Sequence, residues 1–204
     1  MSAKKVFQWW LAAAAVFGAA ALVGGPWVAA RPHLLVPMLE SVAKIIQPAF
    51  EKKLLLALIF FGKNTSVAAM ALFSEQVFNL TEKAARVILV RLRIPQKFIR
   101  ALDWKPWWAN RVVPLTVLII NGAVLAGVCG YFHGEGMSGR LLAAGLLPHG
   151  APELSALFLA CGVGIAGARP KEKIVLFRWV AALLAAAAVL ETWVTPEVMR
   201  FVEF

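Results

Sequence analysis

LPHGAPELSALFLACGVGIAG, residues 147–167, decides the fold of this chain. About 20 consecutive apolar residues in a helix rising 1.5 Å each cross the roughly 30 Å hydrocarbon core of a bilayer. The run carries only two strongly ionisable side chains, His149 and Glu153, four residues apart at its head. On a helix that spacing stacks both on one face. Ionisable groups at such depth are costly, so they face the protein interior or a wet cavity and have partners there.

The rest of the sequence repeats the pattern. Of 204 residues, 61% are hydrophobic and 16% charged, with a mean hydropathy of +0.75. Soluble domains have about 45–50% and about 25% respectively. The excess falls in five blocks, 6–24, 54–73, 113–131, 148–167 and 179–195. The expected fold is all-α: a polytopic transmembrane helix bundle of about five spans, forming one transmembrane domain over residues 1–204.

Several blocks carry interruptions. The first follows Lys4 and Lys5 and is longer than the apolar core of a signal peptide, which favours a retained helix over a cleaved one with Val28-Ala29-Ala30 as its site. Lys63-Asn64-Thr65-Ser66 interrupts the second, and Lys63 is expected to snorkel outward rather than pair with Glu153 or Glu191. Asn121-Gly122 sits in the middle of the third, and a glycine-rich loop, HGEGMSGR, precedes the fourth. The alanine-rich fifth is broken by Glu191 and closed by Pro196. Cys129 and Cys161 lie inside apolar blocks and read as packing residues, with no spacing that supports a disulfide.

Two segments between blocks read as interfacial. In 33–52, Leu39, Val42, Ile45 and Ile46 oppose Glu40 and Lys44 at helical spacing. In 78–108, Lys83, Arg86, Arg91, Arg93, Lys97, Arg100 and Lys105 alternate with aliphatic residues, and Trp104, Trp107 and Trp108 form an interfacial anchor. The net charge of +10 lies in such loops without any nucleic-acid motif, so membrane lipids rather than nucleic acid are the expected counter-charge.

Basic residues set the expected orientation. With the N-terminus cytoplasmic, fourteen fall inside: Lys4, Lys5, the connector's seven with Arg111, and Arg169, Lys171, Lys173 and Arg178. Six fall outside: Arg31, Lys44, Lys52, Lys53, Arg140 and Arg200. The reading is a multi-pass plasma (inner) membrane protein with its C-terminus outside.

In that topology Asn64, Asn121, His149, Glu153, Glu191 and Thr195, on four helices, reach similar depth in the outer half of the bilayer. The simpler interpretation is a structural network of mutual hydrogen-bond partners between helices. The sharper one is a pocket with His149, Glu153 and Glu191 as metal ligands or catalytic groups. No cofactor is expected, a divalent metal at those three residues being the alternative. Gly162, Gly164 and Gly167 match a dinucleotide fingerprint, but within an apolar span with no strand before it they are expected to serve close helix packing.

These motifs resemble the stage II sporulation protein M (SpoIIM) family of integral membrane proteins. The carriers are Leu147-Pro148-His149-Gly150-Ala151-Pro152-Glu153-Leu154 with Ala160 and Gly162, then Asn121-Gly122, Asn64-Thr65, and Leu190-Glu191-Thr192-Trp193-Val194-Thr195-Pro196. The likeness runs from about residue 50 to 200. It implies a membrane scaffold that assembles envelope-remodelling partners, as the sporulation namesake does for wall-degrading enzymes. Three functions follow in order: a scaffold or assembly partner for other membrane or envelope proteins; a transporter or permease component docking a cytoplasmic partner through the basic connector; and a metal-dependent intramembrane hydrolase. Small-residue faces also allow a homodimer.

Overall fold

The computed structural model describes residues 1–92, 94–95 and 109–203, with the backbone alone at 109 and 110. Among them there is no strand. The helices are α1 (Ala3–Ala29), α2 (Pro32–Ile46), α3 (Lys53–Leu72), α4 (Ser74–Arg91), α5 (Ala109–Gly134), α6 (Gly139–Ala166), α7 (Pro170–Val189) and α8 (Thr195–Glu203). A π-helical turn, Leu190–Val194, joins the last two. Five helical stretches are long and apolar enough to cross a membrane: Ala3–Ala29, Lys53–Leu72, Arg111–Gly134, Gly139–Ala166 and Pro170–Glu203.

These stretches outrun the apolar blocks because capping residues, not hydropathy, end a helix. Ser138 caps α6, its hydroxyl accepting from the Leu141 N–H at 3.2 Å. The glycine-rich loop therefore shrinks to residues 135–138, and α6 begins nine residues before Pro148. Pro148 and Pro152 lie inside α6. They deprive the Ala144 and Pro148 carbonyls of their i+4 donors without ending the helix. At its far end Gly167 adopts φ +69°, the left-handed cap that stops α6, and no neighbour lies within 4 Å of where its side chain would be. Gly167 thus terminates the helix instead of packing it. α7 likewise starts at Pro170, where proline's fixed φ suits a first turn. The polar run Lys63–Ser66 leaves α3 continuous; Ser66 returns its hydroxyl to the Gly62 carbonyl at 2.7 Å.

The helix α6 is central. Of its apolar window 44% is buried, against 11% for α1. On one side Phe158 and Cys161 meet Ala13 and Phe17 of α1 and Val117 and Leu118 of α5. Trp10 and Phe17 meet the Phe158 ring edge-on, at 5.6 and 5.2 Å between centroids. On the other side Ala156, Ala160 and Val163 meet Ala68 and Leu72 of α3 and Val180 and Leu184 of α7. The first helix is thus built into the core, and the Trp10 indole donates to the Ser155 carbonyl at 3.2 Å. Both cysteines are free.

Glycines let the backbones approach. A Cβ on Gly162 would stand 2.5 Å from the Trp9 carbonyl oxygen, and one on Gly164 would collide with the Ala71 carbonyl. Gly122, Gly24 and Gly25 do the same between α1 and α5. These contacts fix the alternation: the start of α1, the end of α3, the end of α6 and the start of α7 share one end of the bundle. There Lys173, wholly buried, reaches Gln76 at 3.1 Å and Glu75 at 3.4 Å on α4. The amphipathic α2 and α4 flank the bundle with Leu34, Val42 and Ile45, and Val87, Ile88 and Val90, exposed. The anticipated basic residues Arg93, Lys97, Arg100 and Lys105 and the anchor Trp104, Trp107 and Trp108 lie outside the described residues.

Candidate functional site

Two elements bring the ionisable groups together. α6 presents His149 and Glu153 from one face, as their spacing requires. The second element is the helix broken at Leu190–Val194. Pro196 has no N–H to offer the Thr192 carbonyl, and its ring would clash with it in an α-helix. The chain absorbs one extra residue instead, and the Thr195 N–H bonds five residues back to the Leu190 carbonyl. The Thr192 hydroxyl donates to the Ala188 carbonyl at 2.8 Å and ties the bulge down. Glu191 lies within the bulge and Thr195 just beyond it.

One ligand atom each from His149, Glu153 and Glu191 lie within 4.8 Å of one another, and all three side chains are half-buried. His149 Nδ1 shares a hydrogen bond of 3.1 Å with the buried Thr195 hydroxyl. Beside them is a cavity of about 260 Å³ whose polar wall is Lys63, Asn121, His149, Glu153 and Glu191 and whose apolar wall includes Phe17, Leu125 and Leu154. A smaller one of about 60 Å³ holds Asn64 with Lys63, Asn121 and Glu153. The Lys63 ammonium acts on all three ionisable groups, and the Asn64 amide acts on Glu153. Asn121 donates one amide N–H to the Val117 carbonyl of its own helix at 2.7 Å and lines both cavities.

All six polar residues anticipated from sequence therefore gather around one place: His149, Glu153 and Glu191 within 4.8 Å of one another, Thr195 bonded to His149, Asn121 on the cavity wall, and Asn64 on the neighbouring space it shares with Glu153. Depth is where the structure differs. His149 stands ten residues into α6 and Glu153 fourteen, about 15 and 21 Å along a helix of about 42 Å. The cluster sits near the middle of its helices, not at the head of a span, because α6 starts at Gly139. Lys63 is exposed and also lines both cavities, ten residues from one end of α3 and nine from the other. A lysine in mid-span was the signal for it. The bond between His149 and Thr195 joins two members of the expected polar group.

Chemically, the arrangement offers an imidazole held at one nitrogen, two carboxylates, one ammonium and two amides around a space large enough for water or a small ligand. Carboxylate oxygens and an imidazole from two helices suit a divalent cation.

No curated protein and no solved structure matches this chain. The family model described as stage II sporulation protein M matches residues 12–196. That match runs from the first span to Pro196 and takes in every residue of the cluster. The chain is a multi-pass membrane protein and belongs to the stage II sporulation protein M family.

Proposed function

We propose that this protein is a membrane assembly factor whose working centre is a divalent-cation site held at mid-bilayer depth by His149, Glu153 and Glu191. The assembly role rests on family membership. The cation site rests on one observation, the 4.8 Å grouping of three ligand atoms from two helices. A tetrahedral ion with bonds of about 2.0–2.1 Å needs its ligands about 3.4 Å apart, so small rotamer changes close the set. Charge argues the same way. Two carboxylates face one ammonium, Lys63, and an unbalanced carboxylate far from water calls for a cation or a proton. In the tautomer whose Nδ1–H donates to Thr195, the Nε2 lone pair is free for an ion, the usual arrangement of a metal-binding histidine.

A second reading, a metal-dependent intramembrane hydrolase, is favoured by the cavity alone: three protein ligands beside about 260 Å³ of space leave a coordination position open to water. The N-terminus and the α6–α7 turn are assigned to the cytoplasm on the distribution of Lys and Arg.

The test is metal analysis of the purified protein, wild type beside His149→Ala and Glu191→Gln, with circular dichroism to show that both variants stay helical. About one equivalent of a divalent metal in the wild type, lost in both variants, is expected. A metal-free wild type that also binds none on titration overturns the cation site. Partner capture that survives metal loss would separate the assembly role from the centre.

A further inference from the structure

At the bundle end where α1 begins and α6 stops, an apolar groove of about 490 Å³ runs between α1, α6 and α7, walled by Val6, Phe7, Trp10, Leu159 and Leu176. It continues into a second space of about 330 Å³ that shares Val6 and Leu176 and finishes at Lys171, Glu172 and Val175. Trp10 and Leu159 each lie seven residues, about 10 Å, from the near end of their helices. The groove thus leads from a charged helix end down into the apolar depth of the bundle.

The charges at its mouth are unequal in their commitments. Glu172 is occupied: Arg169 bonds it at 2.9 Å and the Met1 amine bonds it as well. Lys171 is exposed and has no anionic partner among the described residues, and the same holds for Lys4 and Lys5 on the first turn of α1. The mouth therefore presents net positive charge above an apolar slot.

We propose that this groove is a binding site for an anionic phospholipid, with one acyl chain against Trp10 and Leu159 and the phosphate at Lys171. Inside a bilayer, apolar contact alone selects nothing, since lipid tails are as apolar as the groove. Selection comes from the headgroup, and a cation near the membrane surface favours an anionic lipid by about 1 kcal/mol, roughly fivefold. A zwitterionic lipid brings its own ammonium to the same lysine. A helix from a second copy would fill the slot but leave the cations without counter-charge.

The test is native mass spectrometry of the purified full-length chain in detergent with equimolar palmitoyl-oleoyl phosphatidylglycerol and phosphatidylcholine. The wild type is expected to retain phosphatidylglycerol at least about fivefold more than phosphatidylcholine. Lys171→Gln, an exposed position that leaves the fold intact, should lower that preference about fivefold; Lys44→Gln, at the other end of the bundle, should leave it unchanged. Leu176→Trp, which fills the groove, should reduce retention of both lipids. Equal retention by the wild type, or a preference untouched by Lys171→Gln, overturns the proposal. A lipid-free dimer would assign the groove to a second copy and overturn it as well.

Discussion

Thr195 shows how much a single hydroxyl can decide at the residue scale. It meets His149 Nδ1 at 3.1 Å and so fixes which ring nitrogen faces the cavity. Removing a partner of this kind typically costs a metal site about 10–100-fold in affinity. Thr195→Val keeps the shape and removes the hydroxyl, and should weaken divalent metal by about that factor in a chelator competition, while Thr195→Ser should bind as the wild type does. Unchanged affinity in Thr195→Val would mean that the imidazole is held by packing alone. Glycines give a second contrast. A methyl on Gly162 would press on the Trp9 carbonyl at 2.5 Å, a backbone contact that cannot swing away, whereas one on Gly62 meets nothing within 4 Å. Thermal unfolding in detergent should show Gly162→Ala destabilised by about 1–3 kcal/mol. Gly62→Ala should be neutral or stabilised by about 0.5–1 kcal/mol, since alanine is the better helix former. Equal effects would place the close approach of α1 and α6 elsewhere.

At the scale of the element, the broken seventh helix carries the site. Its bulge adds one residue between Leu190 and Val194, and one residue turns an α-helix by about 100°. Deleting Val194 should let α7 and α8 run on as one α-helix, with Glu191 and Thr195 no longer able to face His149 together. Helical content should hold while bound metal falls at least about tenfold; a deletion variant that still binds metal like the wild type would show the bulge to be irrelevant. Prolines also explain where helix boundaries escaped a reading of the sequence. Pro148, Pro152 and Pro196 each look like a stop, yet all three lie within or between continuing helical turns, the last by way of the π-helical bulge. The caps that do end helices, Ser138 and Gly167, are ordinary residues whose role depends on local dihedral angles. That misplacement of the α6 start is what put the cluster at the mouth of a span instead of its middle. Identity of the polar residues needed only hydropathy and spacing; their depth needed the helix ends.

For the whole molecule, the five apolar helices were legible because a bilayer demands about 20 apolar residues per crossing, a signal that survives errors in each boundary. The core partners were not, since alanine and glycine faces carry no address; α6 could pack on any neighbour until backbone contacts such as Gly164 on Ala71 choose one. The proposed orientation rests on where cations collect. Lys173 buried against Glu75 and Gln76 joins the α6–α7 end to the basic α4, so the charges of two separate segments lie on one side. With the N-terminus cytoplasmic, the loop at 135–138 is outside and the turn at 167–169 is inside. In a chain with Cys129 and Cys161 replaced by alanine, Glu135→Cys should react with a membrane-impermeant maleimide in intact cells. Arg169→Cys, 83% exposed in the side chain, should react only after permeabilisation. The opposite pattern would invert the protein and place the groove mouth at Lys171 against the other leaflet. Labelling of both positions in intact cells would mean that α6 does not cross, and a His149–Glu153–Glu191 centre at mid-bilayer depth could not stand.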